Sequence, residues 1–192
     1  MLRFFFRQGR SLIKRCRSAL FWFDCRAGRV RKEGRLLLNV PLKCDGDGRV
    51  SLGANVSIGF VPAPMLADGR VRLQARGAEA RVTVGAGTAF SNNVQVIAEN
   101  SVTIGRQCLI GDAVLILDSD FHNLSAEGRH SMPGAAAAVV IEDNVFIGSR
   151  VIILKGVTIG KDSVIGAGSV VVRSIPPGVI AAGNPAIVIR NL

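Results

Sequence analysis

Starting at Ile141 and stepping by six, the chain places Ile141, Ile147, Ile153, Ile159, Ile165 and Val171, a β-branched aliphatic every time. An α-helix cannot keep every sixth residue on one face, because six steps of about 100° rotate the side chain by roughly 240°. A short strand followed by a sharp corner can, with the aliphatic pointing inwards. Gly148, Gly160 and Gly166 follow three of these aliphatics, and glycine tolerates both the backbone angles and the close chain approach that a corner demands. Val145, Val151, Val157, Ser163 and Ser169, each four residues after an aliphatic, are all compact.

The same pattern recurs upstream with slips. Leu52-Gly53 precedes Ile58-Gly59, Val84-Gly85 leads to Phe90 and Val96, and Ile104-Gly105 leads to Ile110-Gly111 and Ile116. Successive coils built this way stack into ladders of like aliphatics, an all-β parallel β-helix of hexapeptide repeats. The composition agrees. Hydrophobic residues make up 48% of the chain but aromatics only 5%, so the core must be assembled from Val, Ile, Leu and Ala. A length of 192 residues suits one such domain with a small appendage.

That appendage is basic. Residues 1–35 carry Arg3, Arg7, Arg10, Lys14, Arg15, Arg17, Arg26, Arg29, Arg31, Lys32 and Arg35 against Asp24 and Glu33. They account for most of the net charge of +10. Residues 3–28 read as an amphipathic helical arm with Leu12, Ile13, Cys16, Leu20 and Phe23 on one side. Such an arm can pack on the end of the β-helix and shield an unpaired edge, or lay its basic face on an anionic membrane or polyanionic glycan. Nucleic acid is not an expected partner, because no recognition motif is present and Phe4–Phe6 and Phe21–Phe23 do not interleave with the cations. Cys16, Cys25, Cys44 and Cys108 show no paired spacing, so neither a disulfide framework nor a metal site is expected. No apolar run approaches the ~20 residues of a membrane helix, and no signal peptide is evident. The expected location is cytoplasmic, with peripheral attachment to the inner face of the membrane as an extension of it. Residues 36–192 then form the repeat domain, interrupted at Phe60–Arg70 and, at greater length, over 118–138. A long interruption in a compact repeat is more often functional than not.

With its repeats, the tail Ala182-Gly183-Asn184-Pro185-Ala186 and the histidine-bearing interruption, the chain resembles the hexapeptide-repeat acyltransferases over about residues 50–190. Within them it is similar to the galactoside and maltose O-acetyltransferases and to the acetyltransferases of capsule and lipopolysaccharide assembly. The resemblance implies a left-handed coil, a homotrimer with active sites between subunits, and acetyl-CoA as acyl donor. The implied reaction is transfer to a sugar hydroxyl in bacterial surface-polysaccharide assembly.

Acyl transfer to a hydroxyl needs a base for the acceptor proton and a donor for the developing oxyanion. Histidine is the natural base near neutral pH. His122 occupies the place of the family's catalytic histidine, whereas His130 reads as a solvated loop residue. Asp118 and Asp120 can orient the imidazole, hold a sugar hydroxyl, or cap the turn through backbone N–H groups. The resemblance carries the donor contacts to Ser149, Ala167, Arg173 and Arg190; Val172 stands where the galactoside enzyme has a hydroxyl. It carries acceptor contacts to Asn93 and Glu99, although asparagine also serves simply to turn a corner. N-acetylation of an amino sugar nucleotide is the alternative within the enzyme class, and a non-catalytic β-helix scaffold is the alternative outside it. The three metal histidines of the related carbonic anhydrases cannot be assembled from two per chain.

Overall fold

The computed structural model describes residues 29–60 and 69–192. The amphipathic helix expected over 3–28 and most of the interruption expected at Phe60–Arg70 lie outside the described residues. Those described form twenty strands and no helix, wound as a three-faced prism. The first coil is β1 (Val30–Lys32), β2 (Leu37–Leu38) and β3 (Leu42–Asp45). The second is β4 (Arg49–Leu52), β5 (Ser57–Ile58) and β6 (Val71–Ala75). The third is β7 (Arg81–Val84), β8 (Ala89–Phe90) and β9 (Gln95–Ala98), and the fourth β10 (Ser101–Ile104), β11 (Leu109–Ile110) and β12 (Leu115–Leu117). After the long loop come β13 (Val139–Ile141), β14 (Phe146–Ile147) and β15 (Ile152–Ile153), then β16 (Thr158–Ile159), β17 (Val164–Ile165) and β18 (Val170–Val171). An antiparallel hairpin of β19 (Val179–Gly183) and β20 (Ala186–Asn191) extends the second face.

The six-residue step visits the three faces in turn, and each face stacks one ladder. Val84, Ile104, Ile141 and Ile159 align on the first face. Phe90, Ile110, Ile147 and Ile165 align on the second. Val96, Ile116, Ile153 and Val171 align on the third. All twelve are buried, each side chain contributing about 1.5–3 kcal/mol of transfer free energy. The compact residues between them, from Val145 to Ser169, are buried as well.

The glycines after the ladder residues serve one of their two expected roles. A Cβ on Gly111 would sit 2.7 Å from the carbonyl carbon of Gly148, and one on Gly148 would sit 2.6 Å from the amide nitrogen of Ala167. Close stacking therefore demands them. Except at Gly59, whose own φ is 83°, the left-handed backbone angle falls two residues further on, at Asn93, Ala113 and Arg150 on the corner between the second and third faces. At the corner between the first and second it falls on Asn55, Gln107, Asn144 and Asp162. Asparagine and aspartate tolerate that angle better than most residues, but Ala113 and Arg150 hold it within the stacked column.

Of the cysteines, Cys44 and Cys108 are buried. Cys108 sits at the base of the second face with its S–H 3.1 Å from the Glu142 carbonyl, and burial pushes its pKa up. A neutral, enclosed thiol is a poor nucleophile. Cys108 is expected to resist iodoacetamide at neutral pH until the protein is denatured; peptide mapping that finds it alkylated in the native protein would contradict this burial.

Candidate functional site

The interruption at 118–138 leaves the corner where the third face turns back to the first. It is looped out without a register shift, since Ile104, Ile110 and Ile116 still face Ile141, Ile147 and Ile153. The segment is less irregular than the sequence suggests. Ser119 bridges Ala136 and His122 bridges Pro133 in antiparallel fashion, so the chain runs out and back as a paired arm. The Asp120 amide donates to the Ala135 carbonyl at 3.0 Å, and the Ala137 amide to that of Asp118 at 2.8 Å. Gly134 packs against the backbone at His122; a Cβ there would come within 2.7 Å of the His122 nitrogen and oxygen. Phe121 takes a positive φ of 60°, which turns the chain so that its ring lies 4.3 Å beneath the Arg76 guanidinium. His122 follows with its side chain exposed.

Asp118 is fully buried. Its two carboxylate oxygens accept the backbone N–H groups of Glu99 and Asn100, each at 2.8 Å. Of the roles open to it, the backbone cap is the one its geometry fills, and both oxygens are taken up away from any acceptor. Asp120 accepts from Lys155 Nζ at 2.9 Å, linking the base of the arm to the next coil. Its other oxygen is buried with no partner among the described residues. Glu99 lies one coil below, 3.3 Å from Arg76. This corner thus stacks Arg76, Glu99, Asp118, Asp120 and Lys155, with Arg173 exposed one coil beyond.

The other sequence-predicted residues lie elsewhere. Ser149 and Ala167 occupy consecutive coils of the corner between the second and third faces, where the Gly168 amide donates to the Ser149 carbonyl at 2.9 Å. The hairpin turn at Gly183–Ala186 joins this column, with the Gly183 amide 3.1 Å from Ser169 Oγ. Asn93 shares that corner two coils lower, in the left-handed conformation at φ 58° and packed on Gly69. Asn93 and Glu99 are therefore separated by the width of β9. Arg190 pairs with Ile180 near the far end of the hairpin, and its guanidinium donates to the Asn191 carbonyl at 3.0 Å.

Lys155 and Arg76 escape a reading by local strings. Lys155 would have been found by removing the interruption and resuming the coil, which brings Leu154-Lys155 over Leu117-Asp118. Lys155→Met would leave Asp120 with neither oxygen partnered. The expected result is a loss of about 1–3 kcal/mol, read as a melting temperature roughly 2–12 °C lower; an unchanged melting curve would show the pair to be idle.

Residues 138–173 match the bacterial transferase hexapeptide family model, six repeats long. Along 91% of the chain and 83% of its counterpart, the sequence is 33% identical to an Escherichia coli K12 protein provisionally named as a lipopolysaccharide biosynthesis O-acetyl transferase. The chain belongs to the hexapeptide-repeat acyltransferases. The fold class follows: this is the left-handed parallel β-helix of that family. The galactoside O-acetyltransferase of E. coli K12 is 44% identical over 100 residues, 52% of this chain and 49% of that enzyme. The chain spans about half the length of several such curated relatives. A hexapeptide-repeat acetyltransferase of Vibrio cholerae, solved with acetyl coenzyme A, superposes with a TM-score of 0.56 at 36% identity, over 58% of this chain and 60% of that one.

Proposed function

We propose that the protein is an acetyl-CoA-dependent O-acetyltransferase of sugar hydroxyls in bacterial surface-polysaccharide assembly, with His122 as general base. The observation that carries this reading is an exposed histidine at the start of a paired arm whose root is fixed twice, by Asp118 and by Asp120–Lys155. In such a site the imidazole takes the proton from the acceptor hydroxyl as the acyl group transfers. The rigid root holds that imidazole in one place, which is what positioning contributes to rate. Asp120 is a positioning residue of the arm, and Asp118 acts through the backbone beneath it.

Acetyl-CoA supplies the activated acyl group. The corner of Ser149 and Ala167 suits a slender pantetheine arm, because apart from the exposed Arg150 the side chains beside them are small and a Cβ on Gly168 would meet nothing within 4 Å. Arg173 and Arg190 offer charge for the nucleotide phosphates. Because His122 and Ser149 stand on different corners, a site that uses both takes one corner from each of two adjacent copies, and three copies close the ring. Asn93 and Glu99, on different corners too, would face acceptors in different clefts.

The relative matched along 91% of this chain is named as an O-acetyl transferase, whereas N-acetyltransferases match over 60 residues only, which favours O-acetylation. An acceptor screen that follows free CoA release, with mass spectrometry of the product, tests the reading. No CoA release above hydrolysis across mono-, lipid-linked and polymeric saccharides would remove it.

The basic residues 1–35 fit an anionic membrane or glycan, and among the described residues no helix is long and apolar enough to cross a membrane. The full chain is expected to bind anionic vesicles at low salt and to release them as ionic strength rises. A chain lacking residues 1–30 that binds equally well would rule the arm out.

A further inference from the structure

In β4 and β7 the inward residues are Val50, Leu52, Val82 and Val84, so Arg49, Ser51, Arg81 and Thr83 point outwards from the first face. The strand register sets Arg49 beside Arg81 and Arg81 beside Ser101. Arg29 completes this column, since the Val50 amide donates to its carbonyl at 3.0 Å. A second column of Arg31, Ser51, Thr83 and Thr103 runs next to it. Neither column holds an acid, an aromatic or an aliphatic residue.

The three arginines of the first column sit on adjacent strands about 4.8 Å apart, and like charges directly opposite destabilise a sheet. The neighbouring corner answers with two exposed carboxylates, Asp47 paired with Arg29 and Glu79 paired with Arg81. Arg31 and Arg49 form no ion pair among the described residues. Folding gains nothing from such a column. An anion laid across it does, because each guanidinium offers a fork matched to a carboxylate. The column also leads to the site. Val102 pairs with Val139, so the place after Ser101 belongs to Ala138, the last residue of the arm that carries His122. Arg49 and Ala138 are three strand spacings apart, about 14 Å.

We propose that this basic face binds an acidic polysaccharide, with Arg29, Arg49 and Arg81 holding its anionic groups and Ser51, Thr83 and Thr103 meeting its hydroxyls. The bound chain extends towards the arm, which makes the acceptor class an anionic glycan rather than a small neutral sugar. A lipid surface fits the face less well, because no apolar side chain projects from it to enter a bilayer. A nucleic acid finds no aromatic ring there on which to stack a base. The acceptor class rests on the acetyltransferase reading; the binding does not.

The probes are oligogalacturonate, dextran sulfate and, as the neutral control, maltodextrin, titrated by calorimetry into the full chain at low salt without acetyl-CoA. Wild type is expected to bind at least one of the two anionic glycans and not maltodextrin. Arg49→Gln/Arg81→Gln should bind it about ten-fold more weakly, or worse. Arg106→Gln/Arg150→Gln removes the same charge from two other corners and should change the affinity about two-fold at most. Thr83→Glu, which sets an acid in the middle of the face, should also weaken binding and covers the case where the first double variant does not fold. A wild type that binds neither anionic glycan overturns the proposal. So does an equal loss in both double variants, which would reduce the effect to net charge. Anionic vesicles or single-stranded DNA that lose affinity in Arg49→Gln/Arg81→Gln while the glycans do not would overturn it in favour of that partner. Arginine-dependent glycan binding without acetyl transfer would retain this face and remove the acetyltransferase reading; acetyl transfer to a neutral saccharide by a chain that binds no anionic glycan would do the reverse.

Discussion

His122→Ala is expected to lower kcat by about 10²–10⁴-fold, the usual range for loss of a positioned general base. The side chain is exposed, so its truncation creates no cavity, and the melting temperature should stay within about a degree. The KM for acetyl-CoA should also hold, because Ser149 and Ala167 lie on another corner and Arg173 stands a coil beyond the root of the arm. A loss confined to kcat would separate a base from a residue that merely shapes the arm. His130→Ala supplies the control: it lies further out on the same arm, equally exposed, and should leave turnover unchanged. Near wild-type kcat in His122→Ala, measured by CoA release on an acceptor that supports turnover, would end the assignment of His122 as base.

The ladders were legible because a six-residue step carries the chain across one face, so every sixth position meets the core and takes a large apolar side chain, with a compact buried residue between. Ile141, Ile147 and Ile153 announce three faces even though they are neighbours in sequence. The place of the arm was legible for the same reason, as the point where the period stops at Ile116. Its inner structure was not. The pairing of His122 with Pro133 and the seating of Gly134 against His122 are backbone events with no side-chain period behind them. The Lys155–Asp120 contact depends on a register concealed by the intervening loop. The resemblance assigns both Asn93 and Glu99 to the acceptor, but in this fold the six-residue interval crosses the face formed by β9 and puts them on adjacent corners. The glycines mark corners, but at Gly111 and Gly148 the spacing between coils requires them, whereas at Gly59 the positive φ falls on the glycine itself.

Asp118→Ala should be the most damaging single change to the scaffold beneath the arm. The carboxylate is fully buried and holds the Glu99 and Asn100 amides at 2.8 Å each. Alanine would leave two donors without acceptors where the third face turns, next to Ile97 and Ile116, and each unsatisfied buried group costs about 1–3 kcal/mol. A total near 3 kcal/mol corresponds to a melting temperature roughly 6–12 °C lower in a chain of this size. Asp118→Asn should fall between, because one oxygen remains an acceptor while the amide nitrogen meets an N–H. Comparisons have to be made at one protein concentration, since the melting point of a chain that assembles as proposed moves with it. Activity should fall with stability, because Asp118 ties the corner from which His122 departs to the coil below. The discriminating readout is temperature: if Asp118 acts only through the backbone, activity in Asp118→Ala should recover substantially on cooling, whereas His122→Ala stays inactive at every temperature. An Asp118→Ala protein that melts like wild type but has lost turnover would instead place this carboxylate in contact with the reacting groups.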